Sequence, residues 1–133
     1  MRRVLIADED RQVLSRVSAV LRAEDLDVVA VDDGRLVFNL LERERFDLVI
    51  LDIFMRGMDG LDAIRTFRKR HPGVPVIAMS ALQFPETSSA PPDFLAMATR
   101  LGAKRSLRKP FDTQHLQSIV RECLDAESNQ QNC

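Results

Sequence analysis

Apolar residues follow two rhythms along this chain. Short unbroken runs, Val4-Leu-Ile-Ala7, Asp27-Val-Val-Ala-Val31, Phe46-Asp-Leu-Val-Ile-Leu-Asp52 and Val74-Pro-Val-Ile-Ala-Met79, alternate with stretches whose apolar positions recur three or four residues apart. The runs read as buried strands and the spaced stretches as amphipathic helices. Val13, Val17, Val20 and Leu21 predict a first helix from Gln12, capped by Asp10. Leu36, Leu40 and Leu41 predict a second ending near Arg45. Leu61, Ile64 and Phe67 predict a third, with Asp59 as N-cap and His71-Pro72-Gly73 as its stop. Residues 82–92, rich in Pro and Ser, read as a long surface loop. A short fourth helix follows over Asp93 to Leu101, offering Phe94, Leu95 and Met97 or Ala98 for packing and ending at Gly102. Lys104-Arg-Ser-Leu-Arg108 is polar but extended and completes the pattern as a fifth strand, and Asp112 caps a last helix with Leu116, Ile119, Val120 and Cys123 on one face.

Strand and helix thus alternate in one domain, and right-handed crossovers turn such units into an open parallel sheet covered on both faces. The predicted class is α/β, a doubly wound five-stranded sheet in the flavodoxin-like order 2-1-3-4-5. The domain is expected over residues 1–126, and 127–133, which carries no apolar stripe, as a disordered polar tail.

Composition narrows the function classes. The chain has 133 residues, a net charge of -1 and a pI of about 6.1, so bulk charge implies neither a nucleic-acid face nor an anionic membrane partner. Cys123 and Cys133 lack metal-type spacing, and one lies in the tail, which points to a reducing compartment. Val4 to Ala7 is too short for a signal peptide or a membrane span. A cytoplasmic protein is expected, and the short polar tail suggests natural ends.

Chemistry concentrates where strands end. In the order above, strands 1 and 3 lie side by side at the switch point, so Asp8, Glu9 and Asp52 meet at one edge of the sheet. Taken alone, Asp52 could as well cap a turn, and Asp8 to Asp10 could be a solvated helix start; two segments carrying acids to one crevice favour a site. Carboxylates so placed repel one another unless a positive charge joins them, and oxygen ligands with room for water suit Mg²⁺ or Mn²⁺. Ser80 and Lys109 close the fourth and fifth strands at the same edge. A hydroxyl and an ammonium beside a metal suit a phosphoryl group, and with Asp52 as nucleophile they fit aspartyl-phosphate chemistry.

These motifs resemble the receiver domain of two-component response regulators. The resemblance runs from Arg3 to about Ala126 and rests on Val4-Leu-Ile-Ala-Asp8-Glu9-Asp10, Asp47-Leu-Val-Ile-Leu-Asp52-Ile-Phe-Met-Arg-Gly-Met-Asp-Gly60, Ile77-Ala-Met-Ser80-Ala81 and Lys109-Pro110-Phe111. It implies a stand-alone, chemotaxis-regulator-like phosphoacceptor that switches a protein-binding surface rather than an enzyme. Asp52 would take a phosphoryl group from a sensor histidine kinase or histidine phosphotransfer protein, and Ser80 and Lys109 would contact the phosphoryl oxygens. Mg²⁺ (or Mn²⁺) would be held by Asp8, Glu9, Asp52 and the backbone carbonyl of Phe54, with Asp10 able to share or replace Glu9. The Lys109-Pro110 bond is expected cis. The downstream target is a protein of unknown identity, direct DNA or membrane binding is not expected, and a phosphorylation-dependent homodimer is left open.

Several positions depart from the family pattern. Glu9 stands where Asp is usual, and Arg56 replaces a common proline. Ser106 occupies the place of the usual aromatic switch residue, and Phe84 or Phe94 is expected to fill the slot beside it. Phe54 and Leu82 flank the expected path of hydrolytic water, which predicts slow self-dephosphorylation. Two alternative readings remain: a receiver-like interaction module that acts without phosphorylation, and an aspartyl-phosphate phosphohydrolase. The latter needs a second acid two residues after the nucleophile, where Phe54 stands.

Overall fold

A computed structural model of the chain describes residues 1–81 and 93–131, the side chains of 126–131 excepted. Its elements, in order, are β1 (Arg3–Ala7), α1 (Arg11–Arg22), β2 (Asp27–Val31), α2 (Arg35–Arg43), β3 (Leu48–Asp52), β4 (Phe54–Met55), β5 (Met58–Asp59), α3 (Gly60–Arg70), β6 (Val76–Ala81), α4 (Phe94–Leu101), β7 (Arg105–Lys109) and α5 (Thr113–Gln131). The five long strands form one sheet in the order β2-β1-β3-β6-β7, and every neighbouring pair is parallel. This is the expected 2-1-3-4-5 order. The polar segment 105–109 pairs in full with β6, so extended backbone and a single buried side chain, Leu107, are enough to make it a strand.

The alternation of side chains across a strand divides the core into two layers. Val4, Ile6, Leu48, Ile50, Ile77, Met79 and Leu107 face α1 and α5. Leu5, Ala7, Val49, Leu51, Val76 and Ala78 face α2, α3 and α4. Strands buried on both faces in this way explain the unbroken apolar runs.

Helix starts follow the capping acids. Asp10 Oδ1 accepts from the Gln12 N–H, Asp59 Oδ1 from Leu61 and Asp62, Asp93 Oδ1 from Ala96, and Asp112 Oδ1 from His115. Three details differ from the sequence expectation. On α2 the buried positions are Val37 and Leu41, whereas Leu36 is 45% exposed. A helical turn of 100° per residue sets Val37 above Leu41, and Leu36 lies off that stripe. The loop after Asp52 contains a small antiparallel hairpin, β4 with β5, turned by Arg56 and Gly57, the latter at φ 77°. Finally, α5 continues to Gln131, so the residues from 127 onward, expected to be a disordered tail, are helical that far. No Gly or Pro interrupts this stretch to stop the helix.

The helix that follows the hairpin is set very close to β3. A Cβ on Gly60 would fall 2.2 Å from the carbonyl oxygen of Ile53 and 2.4 Å from its Cα. Only glycine lets α3 begin directly against the residue after Asp52. Among the described residues no helix is long and apolar enough to cross a membrane.

Candidate functional site

The carboxyl ends of β1, β3, β6 and β7 deliver Asp8, Asp52, Ser80 and Lys109 to one edge of the sheet. Asp8 directly follows β1, Asp52 and Lys109 end β3 and β7, and Ser80 is the penultimate residue of β6, so the backbone pairing of the strands also sets these side chains close together. Register fixes the alignment: Ala7 pairs with Leu51, Asp52 with Met79, and Ala81 with Lys109.

Asp8 and Asp52 are buried, at 2% and 7% exposure. A single ammonium bridges them. Lys109 Nζ donates to Asp52 Oδ2 at 2.7 Å and, in a second short contact, to Asp8 Oδ2. The remaining oxygens are held by backbone: Asp52 Oδ1 accepts from the Phe54 N–H at 2.8 Å, and Asp8 Oδ1 from the Asp10 N–H at 2.9 Å. Each carboxylate thus turns the first residues of its own loop back towards the site.

Charge does not balance here. Burial raises the Asp52 carboxyl above its usual range; Lys109 and the Phe54 N–H pull it back without offsetting that cost. For Lys109 burial works against the charged form, but the hydrogen bonds it donates to Asp52 and Asp8 more than compensate, and the ammonium is held protonated. With two carboxylates and one ammonium, the shortage of positive charge falls on Asp52. Ser80 Oγ lies in the same buried edge, at 0% exposure, and has no hydrogen-bond partner among the described residues. An unpartnered buried hydroxyl costs free energy, so this arrangement is complete only when an acceptor is supplied.

The other acids expected at the site do different things. Glu9 is exposed and accepts the Arg56 N–H, tying the start of α1 to the β4-β5 turn. Asp10 caps α1. Among the described residues no three His, Cys, Asp or Glu side chains form a metal-ligand group. Asp8, Asp52 and the Phe54 carbonyl remain as hard oxygen donors, and two buried carboxylates with one ammonium leave a deficit that a divalent cation would fill. Few protein ligands with water completing the shell is the habit of Mg²⁺.

The Lys109-Pro110 bond is cis, as the resemblance implies. Of the phenylalanines expected beside Ser106, Phe94 stands edge-on to Phe54, with ring centroids 5.0 Å apart; Phe84 lies outside the described residues, as does Leu82. The grip of Glu9 on the Arg56 N–H and the pairing of Phe54 with Phe94 escaped the sequence reading. Neither has a spacing signal, because each joins elements far apart in the chain.

The model of the response regulator receiver domain matches residues 4–121. The chain belongs to that family. Among its relatives, response regulator protein FleR of Pseudomonas aeruginosa is 35% identical over 118 residues, covering 89% of this chain and 24% of FleR. DNA-binding response regulator MtrA of Mycolicibacterium paratuberculosis is 30% identical over 122 residues, covering 92% of this chain and 51% of MtrA. This receiver therefore spans about a quarter to a half of the length of these curated relatives. In fold it is similar to a CheY-like receiver domain protein from Methanospirillum hungatei, with a TM-score of 0.84 and 24% identity over 98% of both chains. The beryllofluoride-activated NtrC4 receiver domain dimer is also similar, at a TM-score of 0.82 and 23% identity over 96% of this chain and 99% of that one. Receiver domains are signalling phosphoacceptor domains rather than conventional enzymes, and they interact with histidine kinases or phosphotransfer proteins.

Proposed function

We propose that this receiver takes a phosphoryl group on Asp52 and uses the change to switch a protein-binding surface. The observation that carries the reading is the single ammonium of Lys109 shared between two buried carboxylates from different strands. A carboxylate pushed towards neutrality by burial is poorly matched to its resting surroundings, and a cation and an esterified oxygen relieve that mismatch.

In the reaction an Asp52 carboxylate oxygen attacks the phosphorus of a phosphohistidine. The new P–O bond forms as the P–N bond breaks, and the imidazole leaves. Lys109 is placed to move from neutralising carboxylates to pairing with a phosphoryl oxygen, and Ser80 Oγ to donate to another. Receiver domains generally bind Mg²⁺ at this site. Asp8, Asp52 and the Phe54 carbonyl would hold it here, and bound there it supplies charge neutralisation for the equatorial oxygens. Glu9, which accepts the Arg56 N–H, would join that set only on leaving this contact.

Phe54 occupies the place where a phosphohydrolase needs an acid, and its exposed ring offers nothing to orient water. The aspartyl-phosphate is accordingly long-lived in this reading, and Phe54→Asn should shorten its half-life severalfold; an unchanged half-life would remove this part of the proposal. The reading places the protein in the cytoplasm as a stand-alone module with no direct contact to DNA or membrane. Detection of the endogenous product at a mass well above 15.1 kDa would replace the stand-alone form with a fused output domain.

The deciding experiment is intact mass after incubation with Mg²⁺ and acetyl phosphate, beside Asp52→Ala. A gain of one phosphoryl mass, absent from the variant, is expected. No gain from acetyl phosphate or from a phosphohistidine donor would leave the phosphorylation-independent interaction module as the function.

A further inference from the structure

The opposite end of the sheet carries a feature that phosphoryl transfer does not use. The amino ends of β6 and β7 and the carboxyl ends of α3 and α4 enclose a cleft of about 480 Å³, a volume in the range of small-ligand sites. Arg68, Arg100 and Lys104 line it together with His71 and Thr99, and no carboxylate of the described residues does.

Arg3, Arg11, Arg35, Arg70, Arg105 and Arg121 each pair with an Asp or Glu. The side chains of Arg68, Arg100 and Lys104 have no hydrogen bond or ion pair among the described residues. Among the described residues the side chains of Arg43, Arg56, Arg65, Lys69 and Arg108 also lack an ion pair, but only Arg68, Arg100 and Lys104 gather in one cleft without a carboxylate. His71 Nε2 is likewise without a hydrogen bond and stands 3.8 Å from the nearest Glu42 oxygen. Basic residues near helix ends complement the helix dipole, and this accounts for part of the arrangement. Each carboxyl terminus amounts to roughly half a negative charge, so two helix ends offset about one of the three permanent cations and leave roughly two.

One cation is also positioned. Gly102, at φ 131°, has no side chain where the Cβ, Cγ and Cδ of Arg68 pass, and a Cβ there would meet them at 3.2 to 3.3 Å. The arginine stem lies across this gap, and the guanidinium stands at the cleft.

We propose that this cleft is a binding site for a small polyanion bearing two or more linked phosphates, held by Arg68, Arg100 and Lys104. Guanidinium forks match phosphate oxygens in pairs, and an ammonium adds a point charge. No Phe, Tyr or Trp of the described residues lines the cleft, and the phosphates themselves carry recognition. Inorganic triphosphate and the triphosphate of a nucleotide share this chemistry.

The test is a titration of the full chain with sodium triphosphate, and separately with ATP, in EDTA at constant ionic strength, followed by calorimetry and amide NMR. EDTA removes divalent cations from the phosphoacceptor edge. Saturable binding is expected, with shifts confined to amides such as Gly73, Gly102 and Lys104, and equal affinity for the two ligands. The dissociation constant should rise about tenfold in Arg68→Met, which keeps the stem across Gly102, and in Lys104→Met. Asp52→Asn should bind as well as the natural chain, so failure here and failure of phosphorylation are separate results. Non-saturable binding, unchanged affinity in both Met variants with native amide spectra, or shifts at the β1, β3 and β6 carboxyl ends would overturn the proposal. So would tighter binding of a DNA duplex or a glutamate-rich peptide than of triphosphate.

Discussion

At the carboxyl end of the sheet Asp8 and Asp52 share one ammonium in near-complete burial, while at the amino end Arg68, Arg100 and Lys104 surround an open cleft and face water. Both ends have unequal numbers of positive and negative groups, of opposite sign. The difference in solvation decides what each imbalance does. In water two unit charges 4 Å apart interact by about 1 kcal/mol, and nearer a protein surface by about 4 kcal/mol. Imbalance at the buried end is therefore felt by the fold, whereas at the open end it is felt mainly by whatever binds.

The sharpest way to break this contrast is Lys109→Met, which strands two buried carboxylates. It should lower unfolding free energy by about 3 to 5 kcal/mol at neutral pH in urea titrations, with the deficit shrinking as acid protonates the pair. A loss below about 1 kcal/mol would mean that the edge is hydrated like the open cleft, and the comparison would fail. Asp52→Asn should act in the opposite direction by a smaller amount. The folded pKa of Asp52 is raised, so its favourable contribution is present below the unfolded carboxyl value and is lost as pH rises through the folded one. Stability curves of the variant and the natural chain should coincide in acid and separate at neutral pH, the variant being the more stable. Ser80→Ala removes a hydroxyl that has no partner, and unfolding free energy should stay within about 1 kcal/mol while phosphorylation by acetyl phosphate slows. Lys104→Ala, at the open end, should change stability by no more than about 0.5 kcal/mol.

The two ends also differ in how far the sequence disclosed them. Asp8, Asp52, Ser80 and Lys109 each stand within one residue of a strand's carboxyl end, so a correct strand order was enough to bring them together. The cleft has no such signal. Arg68, Thr99, Arg100 and Lys104 sit near the ends of elements brought together by packing of α4 on α3 and on β7, and along the chain they look like ordinary solvated polar residues. The same limit explains the smaller misses. Hydrophobicity alone ranks Leu36 with Leu40, and only the angle of α2 on the sheet selects Val37. The contact of Glu9 with the Arg56 N–H needs the β4-β5 turn, which nothing near Glu9 in the chain announces. Local rhythm encodes strands, helices and caps, whereas pairings between separate loops depend on tertiary geometry.

The pairing of Phe54 with Phe94 has an optical consequence. The chain contains seven phenylalanines and neither tryptophan nor tyrosine, so it is almost dark in near-ultraviolet fluorescence. Phe54 is 50% exposed, lies two residues after Asp52 and touches a ring on α4. A tryptophan introduced there would be the only emitter in the molecule, its colour and intensity set by the distance between the loop after Asp52 and the first turn of α4. The protein thus offers, through what its composition lacks, a single-probe view of that loop free of background from any other indole or phenol.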